Sequence, residues 1–158
     1  MRSRLVLSTL LLLTLLAPAA GAGTAPTTDA SVPGIYLYVE VNGNRLPSVV
    51  WTKTSENRQC EIEDLRGALL LDSEGRWFAV GTEREICTDQ NGSRTVSEER
   101  SSVLVGSYEA SGGLITFHDE TLGGSFEGSL TEGVLFVKDS GIGDYEGQTS
   151  EWVFHKAN

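Results

Sequence analysis

The stretch that decides the fold runs from Cys60 to Cys87 and reads CEIEDLRGALLLDSEGRWFAVGTEREIC. It has an apolar run on each side of the polar turn Ser73-Glu74-Gly75, which is the pattern of a β-hairpin. Both cysteines of the chain lie at its ends. We therefore predict a long hairpin closed by a disulfide, because two cysteines allow one pairing.

The first strand of this hairpin changes the face on which its apolar residues fall. Cys60 and Ile62 stand at even positions, whereas Leu65, Leu69 and Leu71 stand at odd positions. Alternate residues of a strand point to opposite faces, so one extra residue must be accommodated in this strand. The sequence predicts a bulge or bend here, which we place at Gly67.

The same pattern of short strand, glycine-bearing turn and short strand continues on both sides of the hairpin. Upstream, the alternating run 34–41 leads into the turn Asn42-Gly43-Asn44, and downstream, turns recur until a last strand at 148–156. No segment has a helical period. We predict an all-β, antiparallel up-and-down meander of eight to ten strands that closes into a barrel, which removes the exposed edges. A two-sheet β-sandwich is the alternative.

The N-terminus has the features of an export signal. Arg2 and Arg4 precede the apolar run 5–16, and small residues follow. We predict a signal peptide at 1–22, a flexible tether at 23–33 and one barrel domain at 34–157. The apolar run is shorter than the roughly 20 residues that span a membrane, which favours cleavage over a retained anchor. The protein is then periplasmic or extracellular, where disulfides persist.

The charge and the rare residues limit the chemistry. The formal net charge is −10, which argues against nucleic acid and against anionic membrane surfaces as partners. The two histidines are His118 and His155, and there is no C-x-x-C motif. We predict no enzyme activity, no cofactor and no metal site. An enzyme would require one of these histidines to meet carboxylates such as Asp119 and Glu120 inside a pocket.

Aromatic residues are the candidates for ligand contact. Inside a small barrel such side chains either fill the lumen or line a cavity, and both outcomes stay open. The candidates are Tyr36, Tyr38, Trp77, Tyr108, Phe117, Phe126, Trp152 and Phe154. Four of them, Tyr36, Tyr38, Trp77 and Trp152, alternate with Ile35, Leu37, Phe78 and Val153, so one of these two faces looks outward. An outward aromatic face would form a site for a protein partner.

Several segments together resemble small exported bacterial proteins of the lipocalin-like, calycin-type class. They are Gly34…Val41-Asn42-Gly43…Leu46-Pro47, Gly67-Ala68-Leu69-x-Leu71-x-x-x-Gly75-x-Trp77, Gly106-Ser107-Tyr108, Phe126-x-Gly128-x-Leu130 and Trp152-Val153-Phe154-x-Lys156. The resemblance implies a barrel whose interior holds an apolar ligand. In lipocalins a basic residue of the last strand packs over a tryptophan of the first strand; the matching residues here are Lys156 and Tyr36.

These observations lead to an expected function. We expect an exported, non-enzymatic binding protein that holds a small apolar or amphipathic molecule in the barrel lumen. The alternative is a structural or protein-interaction module that uses an exposed aromatic face.

Overall fold

The computed structural model describes residues 31–140 and 146–158. The predicted signal peptide, residues 23–30 of the predicted tether and residues 141–145 lie outside the described residues. Within the described ranges, no helix has the length and apolar content that a membrane crossing requires. The described strands are β1 Gly34–Val41, β2 Asn44–Arg45, β3 Ser48–Ser55, β4 Arg58–Leu71, β5 Arg76–Asp89, β6 Arg94–Val96, β7 Arg100–Ser111, β8 Leu114–Asp119, β9 Ser125–Thr131, β10 Val134–Ser140 and β11 Thr149–Lys156.

Eight of these strands close into one antiparallel barrel. Going round the wall, the order is β1, β11, β10, β9, β8, β7, β5, β4, and β4 pairs with β1 again. Closure through the β1–β4 pairing excludes a two-sheet sandwich and confirms the predicted barrel. Strands β2, β3 and β6 lie outside this closed ring.

The hairpin of β4 and β5 is the longest pairing of the barrel wall. The Asp72 carboxylate fixes its turn, because Oδ1 accepts the backbone N–H groups of Glu74 at 2.9 Å and Arg76 at 2.8 Å. At the far end Cys60 pairs directly with Cys87, with 4.0 Å between their Cα atoms. The predicted disulfide is confirmed. It joins neighbouring strands in the part of the hairpin that extends beyond the barrel.

The predicted bulge is present in β4, but its position was wrong. The register shifts between Asp64 and Arg66, whereas Gly67 pairs regularly with Gly81. Gly67 has a different role, since a Cβ there would lie 2.8 Å from the carbonyl oxygen of Val80 and 3.2 Å from the Tyr38 ring. The absence of a side chain at Gly67 therefore lets the Tyr38 ring lie directly against the backbone of β4.

Aromatic and aliphatic side chains fill one end of the lumen, which we call the closed end. Phe117 stacks on Phe126 with 4.8 Å between the ring centroids, and Trp77 contacts both rings edge-on. Each large side chain that is fully buried stabilises the fold by about 1.5–3 kcal/mol. Those buried here include Tyr36, Leu71, Trp77, Tyr108, Ile115, Phe117 and Leu135.

The aromatic face predicted from the sequence, formed by Tyr36, Tyr38, Trp77 and Trp152, points into the barrel. It is therefore not an exposed surface for a protein partner. Tyr36 and Trp77 are buried, whereas Ile35 and Leu37 are 52% and 49% exposed. The rings suit the interior because they fill it and their polar atoms find partners there. Tyr36 Oη donates to the carbonyl of Val32, a buried residue at the end of the predicted tether.

Strand β3 packs a second, smaller core against the barrel. Val41, Val50 and Ile62 are buried there. Side chains of the β11 region hold β3 in place: Gln148 accepts the N–H of Thr52 at 3.0 Å and donates to its carbonyl at 2.6 Å. Ser150 Oγ donates to the carbonyl of Val50 at 2.9 Å. Strand β3 therefore covers part of the barrel end opposite the closed end, which we call the open end.

Candidate ligand site at the open end of the barrel

Inward-facing glycines show where the lumen is filled. A Cβ at Gly106 would lie 2.6 Å from Trp77 Nε1, and one at Gly128 would lie 3.0 Å from the Phe117 ring. At Gly81 the one described heavy atom within 4 Å of such a Cβ is Ser102 Oγ, at 3.7 Å. Among the described residues, the lumen is therefore packed around Gly106 and Gly128 and has room beside Gly81.

Three aromatic residues and one carboxylate, which we call the wall, line the barrel near the space at Gly81: Tyr38, Trp152, Phe154 and Asp64. Tyr38 Oη donates to Asp64 Oδ2 at 2.7 Å, and Trp152 Nε1 donates to the same oxygen at 3.3 Å. The Tyr38 ring stacks on Phe154 with 5.2 Å between centroids. Tyr38 also lies against Gly67, which pairs with Gly81 across the hairpin, so these side chains lie near the space beside Gly81.

The Asp64 carboxyl has an unusual environment. Burial raises its pKa; the hydrogen bonds from Tyr38 and Trp152 lower it in part, and the nearby Glu83 raises it again. Burial, and secondly the charge of Asp64, raise the pKa of the Tyr38 hydroxyl, so this group remains a donor. The site therefore holds one carboxyl oxygen between two fixed donors.

Further carboxylates surround the open end. Asp119 ends β8 and Asp139 lies near the end of β10. Burial raises the pKa of Asp139; the N–H of Ser140 lowers it, and the charge of Asp119 raises it. Glu83 of the same end is ion-paired with Arg100 at 2.8 Å, so the carboxyl groups of Asp64, Asp119 and Asp139 are the groups here that favour neutral or cationic molecules over anions.

The structure places the eight predicted ligand residues in two overlapping groups. Tyr36, Trp77, Tyr108 and Phe117 are buried in the closed-end core, and Phe126, Trp152 and Phe154 pack against it. Tyr38, Trp152 and Phe154 form the wall beside the open space. Asp64 and Gly81 were missed from the sequence. Gly81 follows Trp77 and Ala79 at the next inward position of β5. A glycine at such a position was the sequence signal that no side chain fills the interior there.

The other residues considered for catalysis, the two histidines, lie apart from each other and from Asp64. His118 Nδ1 lies 2.8 Å from Ser125 Oγ, and His155 is exposed on β11 opposite Leu37. In the described residues, the one group with metal-ligand spacing is Cys60, Glu85 and Cys87. Its sulfurs are bonded to each other, so they do not offer thiolates.

One further contact matches the lipocalin-like resemblance. Lys156 pairs with Tyr36, and its Nζ lies 5.7 Å from the centroid of the Tyr36 ring. Nζ also donates to the carbonyl of Ser31 at 2.8 Å.

The protein is a closed eight-stranded antiparallel barrel that is compatible with the lipocalin-like class and with a binding function. No family model, no curated protein and no solved structure matches this chain.

The raised pKa of Asp64 predicts a pH-dependent stability. Between its ordinary pKa and the raised folded-state value, the folded protein binds more protons than the unfolded chain, so stability falls as the pH rises through this window. Asp64→Asn keeps an acceptor for Tyr38 and removes the charge. We expect wild type to lose stability relative to Asp64→Asn from about pH 4 upward, measured by urea unfolding across pH 4–8.

A matched control separates this carboxyl from acidic residues in general. Glu109→Gln changes an exposed side chain on the outward face of β7. We expect its stability to follow wild type across the pH range. If Asp64→Asn shows the same pH dependence as wild type, Asp64 is not the group responsible.

Proposed function

We propose that this protein is an exported, non-enzymatic binding protein that holds one small amphipathic molecule in the open half of its barrel. The carrying observation is the space beside Gly81, where an added Cβ would meet only Ser102 Oγ among the described atoms, near the side chains of Tyr38, Asp64 and Trp152. The apolar part of the ligand packs against the aromatic rings. Its polar part reaches the carboxylates of the open end.

The closed end limits where a ligand is held. The side chains around Trp77 and Phe117 are in contact with one another, so binding there would require the core to open. Binding is therefore assigned to the half of the lumen that contains Tyr38, Trp152 and Phe154. The carboxyl groups of Asp64, Asp119 and Asp139 favour a neutral or cationic ligand over an anion.

One observation supports a binding function rather than catalysis, and another supports export from the cytoplasm. His118 and His155 lie on outward positions of different strands, away from the wall at Asp64. The disulfide Cys60–Cys87 is compatible with an oxidising compartment, as is the predicted leader.

The direct test is native mass spectrometry of the protein purified from its own host. We expect a retained small molecule in the wild-type spectrum. A neutral fluorescent probe, N-phenyl-1-naphthylamine, gives a second readout by titration. Gly81→Trp fills the lumen from a position with no positive-φ strain, and we expect it to weaken probe binding at least tenfold, on the order of the loss of one well-buried apolar contact.

The control places the same side chain on the outside of the barrel. Thr116→Trp changes an exposed position of β8, and we expect wild-type probe affinity. Ser102→Phe fills the same space from β7 and replaces Gly81→Trp if that variant does not fold. Folded filling variants that bind the probe like wild type, together with a wild-type protein that carries no ligand, would contradict the proposal.

A further inference from the structure

The outside of the barrel carries a continuous apolar surface on four neighbouring strands. Register places Ile35, Leu70 and Phe78 in one row across β1, β4 and β5. The next row runs from Leu37 through Ala68 to Val80 and Val103. We call this surface the outer apolar face and define it by its six exposed large side chains: Ile35, Leu37, Leu70, Phe78, Val80 and Val103.

This face is as large as the apolar patches that often serve as functional surfaces. Its members are between 36% and 63% exposed. Together they expose on the order of 500 Å² of apolar surface, which is near the upper end of the largest patch on a typical monomer. Scattered single hydrophobic residues need no explanation, whereas a continuous patch of this size is often an interaction surface.

The shape and charge of the face suit a partner with the same surface. A depression of about 230 Å³ lies over Ala68, and the protruding side chains of Leu70, Phe78 and Val80 surround it. The face therefore has both a hollow and side chains of a size to enter one. Its neighbours along β5 and β7 are Arg76, Thr82, Ser101 and Ser107, none of which is acidic. Two acidic groups that flank it near β4 have partners: Glu99 pairs with Arg66 at 3.2 Å, and the Asp72 carboxylate accepts N–H groups of the β4–β5 turn.

We infer that the outer apolar face binds a second copy of this chain, sheet against sheet about a two-fold axis. Two copies would bury on the order of 1,000 Å² through the six side chains alone, and flanking residues bring the total into the range of about 1,200–2,000 Å² of specific interfaces. The carboxylates of the open end lie outside such an interface, so this part of the net charge of −10 is not brought into the contact. This inference is independent of the ligand proposed above.

The test is the oligomeric state of the mature, disulfide-bonded chain by sedimentation velocity from about 1 to 200 µM, near physiological ionic strength. We expect a monomer–dimer equilibrium in wild type. Val80→Glu places a charge within the face of both copies, and we expect the dimer to weaken at least tenfold. Val103→Glu, at a position 63% exposed, provides a second variant if Val80→Glu folds poorly.

Leu114→Glu is the matched control. Leu114 is 67% exposed on β8, outside the face, and we expect wild-type dimerisation from this variant. A wild-type chain that stays monomeric throughout would overturn the inference, as would a Val80→Glu variant that dimerises like wild type. Monomers that co-sediment with phosphatidylcholine vesicles through this face would also overturn it and assign the face to a lipid surface.

Discussion

Gly106→Ala is expected to lower the free energy of unfolding by about 3 kcal/mol or more, at the upper end of the range for overpacking a core. The new Cβ would overlap the carbonyl oxygen of His118 and would lie 2.6 and 2.8 Å from Nε1 and Cε2 of Trp77. Neither neighbour can move freely. Trp77 is 1% exposed, and its Nε1 donates to that same carbonyl at 3.2 Å.

Gly81→Ala is the matched control for this substitution. Gly81 is also an inward glycine, on the strand that pairs with β7, but its Cβ would contact only Ser102 Oγ among the described atoms. We expect a change within about 1 kcal/mol, and stabilisation is favoured because alanine restricts the unfolded chain. Urea unfolding followed by tryptophan fluorescence measures both variants. Equal losses would show that the lumen is packed beside Gly81 as tightly as at Gly106.

Removal of the disulfide is the second large effect that we expect. Cys60 and Cys87 are 27 residues apart, and the chain-entropy model assigns such a loop about 3–4 kcal/mol. For a domain of this size, this corresponds to a fall in Tm of about 10–15 °C. Circular dichroism melting of Cys60→Ala/Cys87→Ala against wild type measures it.

The loss should begin in the outer part of the hairpin. The pairs from Arg58–Asp89 to Glu63–Arg84 extend beyond the strands that close the barrel, and the disulfide lies among them. Hydrogen exchange should therefore accelerate at 58–63 and 84–89 before it does around Trp77. Reductant should lower the Tm of wild type and leave the double variant unchanged. A wild-type Tm that is insensitive to full reduction would contradict this role of the disulfide.

Local patterns in the sequence were enough for the architecture. The alternation in β1, the turn at Ser73-Glu74-Gly75 and the two terminal cysteines of the hairpin predicted the meander and its disulfide. These features depend on neighbours along one strand or across one turn, so the sequence contains the information directly. The position of the β4 bulge was wrong because it was placed at the glycine, although the parity of the apolar residues already changes between Ile62 and Leu65.

The candidate site could be predicted only in part. Tyr38, Trp152 and Phe154 were named among the aromatic candidates, but nothing in the sequence separated them from Tyr36 and Trp77 in the closed-end core. Asp64 was missed because its position on the inward face follows from the bulge at Leu65. Its donors come from β1 and β11, which are distant in sequence.

The sequence by itself determined an acidic chain of short antiparallel strands with one disulfide. Only the tertiary structure decided which face of each strand looks inward, because both faces of β1, β4 and β5 are apolar and alternation alone does not choose between them. Closure through the β1–β4 pairing settled it: the larger rings fill the interior, and the aliphatic residues with Phe78 remain outside. The same closure left room beside Gly81 and none at Gly106, since the space at a glycine is set by side chains from other strands.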